Sequence, residues 1–181
     1  MKGIVFTEFF EMVEQTFGYE MVDTIISKSK LQSGGAYTSI GTYDHEEIVA
    51  LLMNLSLETK IDAEVLLKDF GVYIFDTFRN SYPQFFEKVD NAFDFLQSID
   101  NHIHIEVKKL YPDATLPRFE TRIEDGVMTM LYKSERSMSA LAHGLIERTI
   151  DHYGEELMVA KKTLTEDGST VQFRIGPKQE S

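Results

Sequence analysis

Tyr132, Ser134 and Arg136 stand two residues apart at the end of a predicted strand. Side chains on a strand alternate faces, so the three are expected to point the same way. Two neutral hydroxyl donors and one permanent cation in a row suit an elongated anion carrying one or two carboxylates or phosphates. The alternative is a solvated strand that ends in an arginine.

The histidines are the other residues with chemistry to offer. There are five: His45, His102, His104, His143 and His152. His102 and His104 fall on a predicted long helix, where a spacing of two sends them to nearly opposite flanks. They cannot share one metal from a regular helix, and no His-Glu-x-x-His pattern is present. Leu96, Ile99, Ile103, Val107 and Leu110 form the helix's apolar stripe, with both histidines on its edges. Such a histidine is either a satisfied boundary residue or a single axial imidazole facing an apolar pocket, as haem requires. Gly34-Gly35 and Gly41 lie in a loop that lacks the lysine of a phosphate-binding loop, and there is no Gly-x-Ser-x-Gly elbow. No carboxylate pair stands out for acid–base work.

The elements that must position these residues fall into a helical front and a mixed back. Val5, Phe6, Phe9, Phe10, Val13 and Phe17 recur at helical spacing before Gly18, and a second helix is expected over about 20–29. Asp44 with Glu47 resembles a capping box, and Asp62 is a cap for the next helix. An aromatic stretch, 71–82, precedes Pro83, and a longer helix follows over about 84–110 with a break near Asn91. Two hairpins are then expected, turning at Glu124-Asp125-Gly126 and at Glu166-Asp167-Gly168-Ser169, with a helix over 138–153 between them. The fold class is α+β: an N-terminal helical lobe, about 1–65, and a C-terminal lobe, about 66–181, with a four-stranded antiparallel sheet and packed helices. The 181 residues read as a single domain.

Composition excludes several functions. The hydrophobic fraction is 43%, which marks a globular chain. A net charge of −12 disfavours nucleic acid and anionic membranes as partners. The absence of cysteine removes disulfides, thiolate metal sites and cysteine nucleophiles. With neither a signal-peptide core nor a run of about 20 apolar residues, a cytoplasmic protein is expected.

A helical histidine, then Leu116-Pro117-Arg118, then Tyr132-x-Ser134-x-Arg136 follow in an order that resembles the haem nitric oxide/oxygen-binding (H-NOX) family. Met1-Lys2-Gly3 and Gly144-Leu145-Ile146-Glu147 are similar to family members too, so the resemblance covers essentially the whole chain. It implies haem b between the lobes. The family's proximal histidine stands thirteen residues before the proline, which selects His104 over His102 as the iron ligand. Tyr132, Ser134 and Arg136 would hold the propionates, and Pro117 would press on the macrocycle. Val5, Phe9, Ile74, Phe78, Leu141 and Leu145 are the candidates for the distal wall, each with ordinary core as its alternative.

The resemblance further implies a gas sensor rather than an enzyme. Oxygen-binding members carry a tyrosine nine residues after the motif tyrosine, where this chain has Leu141, and Ile74 is apolar where some carry a polar residue. Nitric oxide and carbon monoxide are therefore the expected ligands, with oxygen largely excluded. Weakening of the iron–His104 bond would free its helix, shift one lobe against the other and alter the surface shown to a histidine kinase or a cyclic-di-nucleotide enzyme. The rival expectation is a haem-free acidic module that binds a protein or a lipid.

Overall fold

The computed structural model describes residues 1–177. Four helices lead the chain: α1 (Gly3–Phe17), α2 (Tyr19–Lys28), α3 (His45–Thr59) and α4 (Ala63–Ser81). Gly18, at φ 87°, separates the first two, in a region that favours glycine. Asp44 and Asp62 cap α3 and α4 by accepting from the backbone N–H groups of Glu46 and Glu64. The expected capping box does not close. Glu47 turns away to a buried hub, where its carboxylate accepts from the Ser33 backbone and hydroxyl and from the Tyr37 phenol. That hub orders the loop between α2 and α3.

The loop in turn finishes α1. Its first amides lack partners within the helix, and the carbonyls of Gly41 and Ser39 accept from Gly3 and Ile4 at 2.8 and 2.9 Å. The approach is so close that a Cβ on Gly3 would lie 1.8 Å from the Thr38 carbonyl oxygen. Met1 and Lys2 are thereby fixed against the rest of the molecule.

The aromatic stretch is the second half of α4 rather than a separate element. After it come α5 (Pro83–Phe86), then α6 (Ala92–Ser98), capped by the Asn91 side chain at the expected break. The remainder of the predicted long helix is interrupted by a π turn, Ile99–Ile103, before α7 (His104–Leu110). Leu110, expected on the apolar stripe, is 59% exposed.

Strands β1 (Arg118–Glu124) and β2 (Val127–Lys133) form the first hairpin, with Asp125 and Gly126 at positive φ as a two-residue turn requires. Helix α8 (Ser139–His152) leads to the second hairpin, β3 (Leu157–Thr163) and β4 (Thr170–Pro177). The four antiparallel strands run in the order β1-β2-β4-β3. Met128, Met130 and Tyr132 of β2 alternate inward beside Val171, Phe173 and Ile175 of β4, and together they form the inner face of the sheet. No described helix is long and apolar enough to cross a membrane.

Two apolar cores result, one among α1–α4 and one between the sheet, α5, α6 and α8. They meet along the crossing of α4 and α8, where Gly71 and Gly144 face each other. A Cβ on Gly144 would lie 2.0 Å from the Lys68 carbonyl oxygen. Gly144→Ala must therefore push the helices apart. It is expected to destabilise the fold by about 1–3 kcal/mol, despite the better helix propensity of alanine. Thermal unfolding of the apoprotein measures this, and an unchanged Tm would show that the crossing yields freely.

Candidate cofactor site

The two cores leave a cavity of about 330 Å³ between α1, α4–α8, the β2 end and the loop after α7. Its wall is built mainly from apolar side chains, with Phe, Ile and Leu the most frequent. A single imidazole, that of His104, stands on it. The π turn explains how. Residues five apart stack in such a turn, which places His104 over Ile99, and the α-helix that follows aligns Val107 with both. One extra residue in a turn rotates all that follows by about 100°. His104 thus joins the apolar face that a regular helix would have kept it from. His102 is not on the wall, and its ring stands edge-on to Phe85 at 5.8 Å.

His104 is held but not satisfied. Its Nδ1 lies 3.4 Å from the Asp100 carboxylate, within ion-pair reach yet without hydrogen-bond alignment, and it is buried with no partner. Asp100 is itself anchored by the Phe119 backbone N–H at 3.3 Å. Burial lowers the His104 pKa, and the neighbouring carboxylate only partly opposes this. The ring is therefore neutral at pH 7, with a lone pair to offer a metal. With Nδ1 turned to Asp100, Nε2 is the nitrogen available to the cavity. A carboxylate behind a ligating imidazole orients the ring and raises its basicity.

The Tyr132, Ser134 and Arg136 side chains also reach the cavity, though not by strand alternation. Only Tyr132 lies on β2. The strand ends at Lys133, and Ser134 and Arg136 sit on a tight turn closed by the Ser134 carbonyl and the Ser137 N–H at 3.2 Å, with Ser137 at φ 51°. The Tyr132 phenol accepts from the Met138 N–H, and the Ser134 hydroxyl accepts from the Arg136 N–H. Neither hydroxyl proton is committed to the backbone, and the two hydroxyls are close enough to bond each other, so the pair keeps at least one proton for an acceptor in the cavity. Burial raises the Tyr132 pKa and keeps the phenol protonated. Arg136 Nη1 donates to the Thr115 carbonyl at 2.9 Å, tying the clamp to the loop that carries Pro117.

Pro117, Val5, Phe78, Leu141 and Leu145 also line the cavity. Phe9 and Ile74 do not. Both are fully buried in the helical core behind the wall, Phe9 edge-on to Phe70 at 5.3 Å. Helical spacing puts Phe9 on an inner face and the resemblance alone points to Ile74, and neither signal says which neighbour that face meets. Tyr111 and Asp113 lie on the wall without any signal in their local sequence, and Lys2 does so with none beyond the resemblance of Met1-Lys2-Gly3.

This arrangement fits a flat apolar group with acids on one edge and a metal at its centre. Among the described residues no cluster of three metal-ligating side chains exists, so one imidazole would hold a bare ion poorly. A macrocycle that brings its own ring of nitrogens removes that difficulty. Haem would meet the conditions the wall sets: apolar surroundings, one imidazole with Nε2 to offer, and hydroxyl and cationic partners for carboxylates.

The Haem-NO-binding family model matches residues 2–161. No curated protein matches the chain. Among solved structures, the Fe(II) unliganded H-NOX protein from K. algicida is 42% identical, with a TM-score of 0.95 over 99% of this chain and 98% of that one. The H-NOX from Shewanella woodyi, solved in the Fe(II)CO ligation state, is 35% identical, with a TM-score of 0.82 over 99% of this chain and 95% of that one. An H-NOX protein from S. oneidensis in the Fe(II)NO ligation state shares the fold, at 22% identity and a TM-score of 0.90, over 99% of this chain and 100% of that one.

Proposed function

The chain belongs to the H-NOX family of haem-based gas sensors, and we propose that it senses nitric oxide, also takes carbon monoxide, and largely excludes oxygen. Bound haem supplies the iron that receives the gas. His104 would hold its iron through Nε2, oriented from behind by Asp100. Tyr132 and Ser134 donate their hydroxyl protons to the propionates and Arg136 adds its charge. Pro117 would press on the bound haem, while Val5, Phe78, Leu141 and Leu145 would form the side that receives the gas.

The observation that carries this reading is the pairing of one buried imidazole with a hydroxyl-and-cation clamp on a mainly apolar wall. Selectivity follows from what the gas side lacks. Bound oxygen gains from a hydroxyl donor, whereas nitric oxide and carbon monoxide need one much less. Val5, Phe78, Leu141 and Leu145 offer none.

The relay is a movement of α7, which begins at His104 and ends beside the N-terminal segment. A helical lobe, about 1–65, shifts against the remainder, and a separate histidine kinase or cyclic-di-nucleotide enzyme binds the two arrangements with different affinity. Visible spectroscopy tests the proposal. Purified ferrous protein is expected to show a Soret band that shifts with nitric oxide and with carbon monoxide but forms no stable oxygen spectrum in air. A stable oxygen spectrum would overturn the selectivity. Failure to take up supplied haem would favour the haem-free interaction module.

A further inference from the structure

Among the described residues, Lys2 and Arg136 are the two cationic side chains on the cavity wall, and Asp113 is its one acidic side chain. We propose that Lys2 is a second cofactor-binding residue, the cation for one of the two haem carboxylates, with Arg136 serving the other. The inference rests on the haem reading above and goes beyond it by giving the N-terminal segment a direct hold on the cofactor.

Four features fit Lys2 for this. Its backbone is pinned by a β-bridge to Thr42, so the side chain starts from a fixed place. The stem is largely covered, with 17% of the side chain exposed, and the ammonium lies 5.0 Å from the centre of the Tyr111 ring. The head group donates to Thr42 Oγ1 at 2.8 Å and more weakly to Asp113 Oδ2 at 3.5 Å. An ammonium has three donors, so at least one is left for a ligand.

Asp113 is the counter-ion of the pair, not its purpose. Its carboxylate is 56% exposed and takes its short bond, 2.6 Å, from the Thr42 hydroxyl. The long contact to Lys2 is the one a cofactor carboxylate can replace. Arg136 cannot serve both acids equally well, because one guanidinium nitrogen is engaged with Thr115.

The test is the rate of haem loss to an excess of a haem-free globin acceptor, for haem and for its dimethyl ester, which keeps the ring and removes both charges. Lys2→Met, which retains the apolar stem, is expected to speed loss of haem about tenfold, the effect of one charge-assisted bond. It should not change loss of the ester. Lys2→Arg should behave as the parent, and Asp113→Asn should leave haem loss unchanged or slow it. Lys2→Gln repeats the comparison should the methionine variant not fold. The proposal is overturned if the Lys2 variants lose haem at the parental rate, or if haem and ester are affected alike. It is also overturned if Asp113→Asn matches Lys2→Met, which would make the pair a latch across the cavity mouth. If the parent takes up no haem at all, the underlying reading fails instead.

Discussion

Protein carrying His104→Gly is expected to purify without bound haem, or with a small fraction of the parental content, and to recover a Soret band when imidazole is added. His102→Gly is expected to retain the parental spectrum. The difference follows from the π turn. It brings His104 onto the wall above Ile99 and leaves His102 against the edge of Phe85. No other described histidine can substitute. His143 faces Glu147, and His152 is packed among Phe75, Phe86 and Tyr153. His45 lies beside Asp44 at the start of α3. A glycine in the first turn of α7 costs about 1 kcal/mol, too little to unfold the domain, so loss of haem would report the ligand and not the fold. Asp100→Asn should keep some haem but bind it about 10–100-fold more weakly, because it removes only the group behind the ligand. A parental spectrum from His104→Gly, with none from His102→Gly, would reverse the assignment.

The register of that assignment was legible only through family resemblance. Local sequence put both histidines at the edge of one stripe, and nothing in the composition of Ile99–Ile103 announces a π turn. An i+5 bond uses the same residues as an i+4 bond, so the choice rests on what the turn packs against. Asp100 and Phe119 supply part of that packing, and they are nineteen residues apart. The hairpins were legible because their turns carry their own signal, with Asp125 and Gly126 at positive φ. The clamp was legible as a group of residues but not as a geometry. Ser134–Ser137 closes a turn without glycine or proline, so the pattern read as continued strand. Lys2 and Asp113 meet across 111 residues, a contact that alternation and helical spacing cannot show.

Leu141→Tyr tests how far the proposed oxygen exclusion depends on one missing hydroxyl. Leu141 stands on the first turn of α8, half-buried on the cavity wall that Val5, Phe78 and Leu145 also line. A phenol there would be the one hydroxyl among them. Oxygen binding leaves partial negative charge on the outer atom, and a donor to such an atom is worth about 1.5–3 kcal/mol. That converts to about a ten- to hundredfold gain in oxygen affinity, with a much smaller effect on carbon monoxide. The larger side chain also fills part of the cavity, so size and hydrogen bonding must be separated. Leu141→Phe does so, since it adds the ring without the hydroxyl. The expected result is an oxygen spectrum in air from ferrous Leu141→Tyr and none from Leu141→Phe. Equal gains from both would mean that shape governs the choice of gas. A gain from neither would move the determinant elsewhere on the same wall, with Val5 and Phe78 the next candidates.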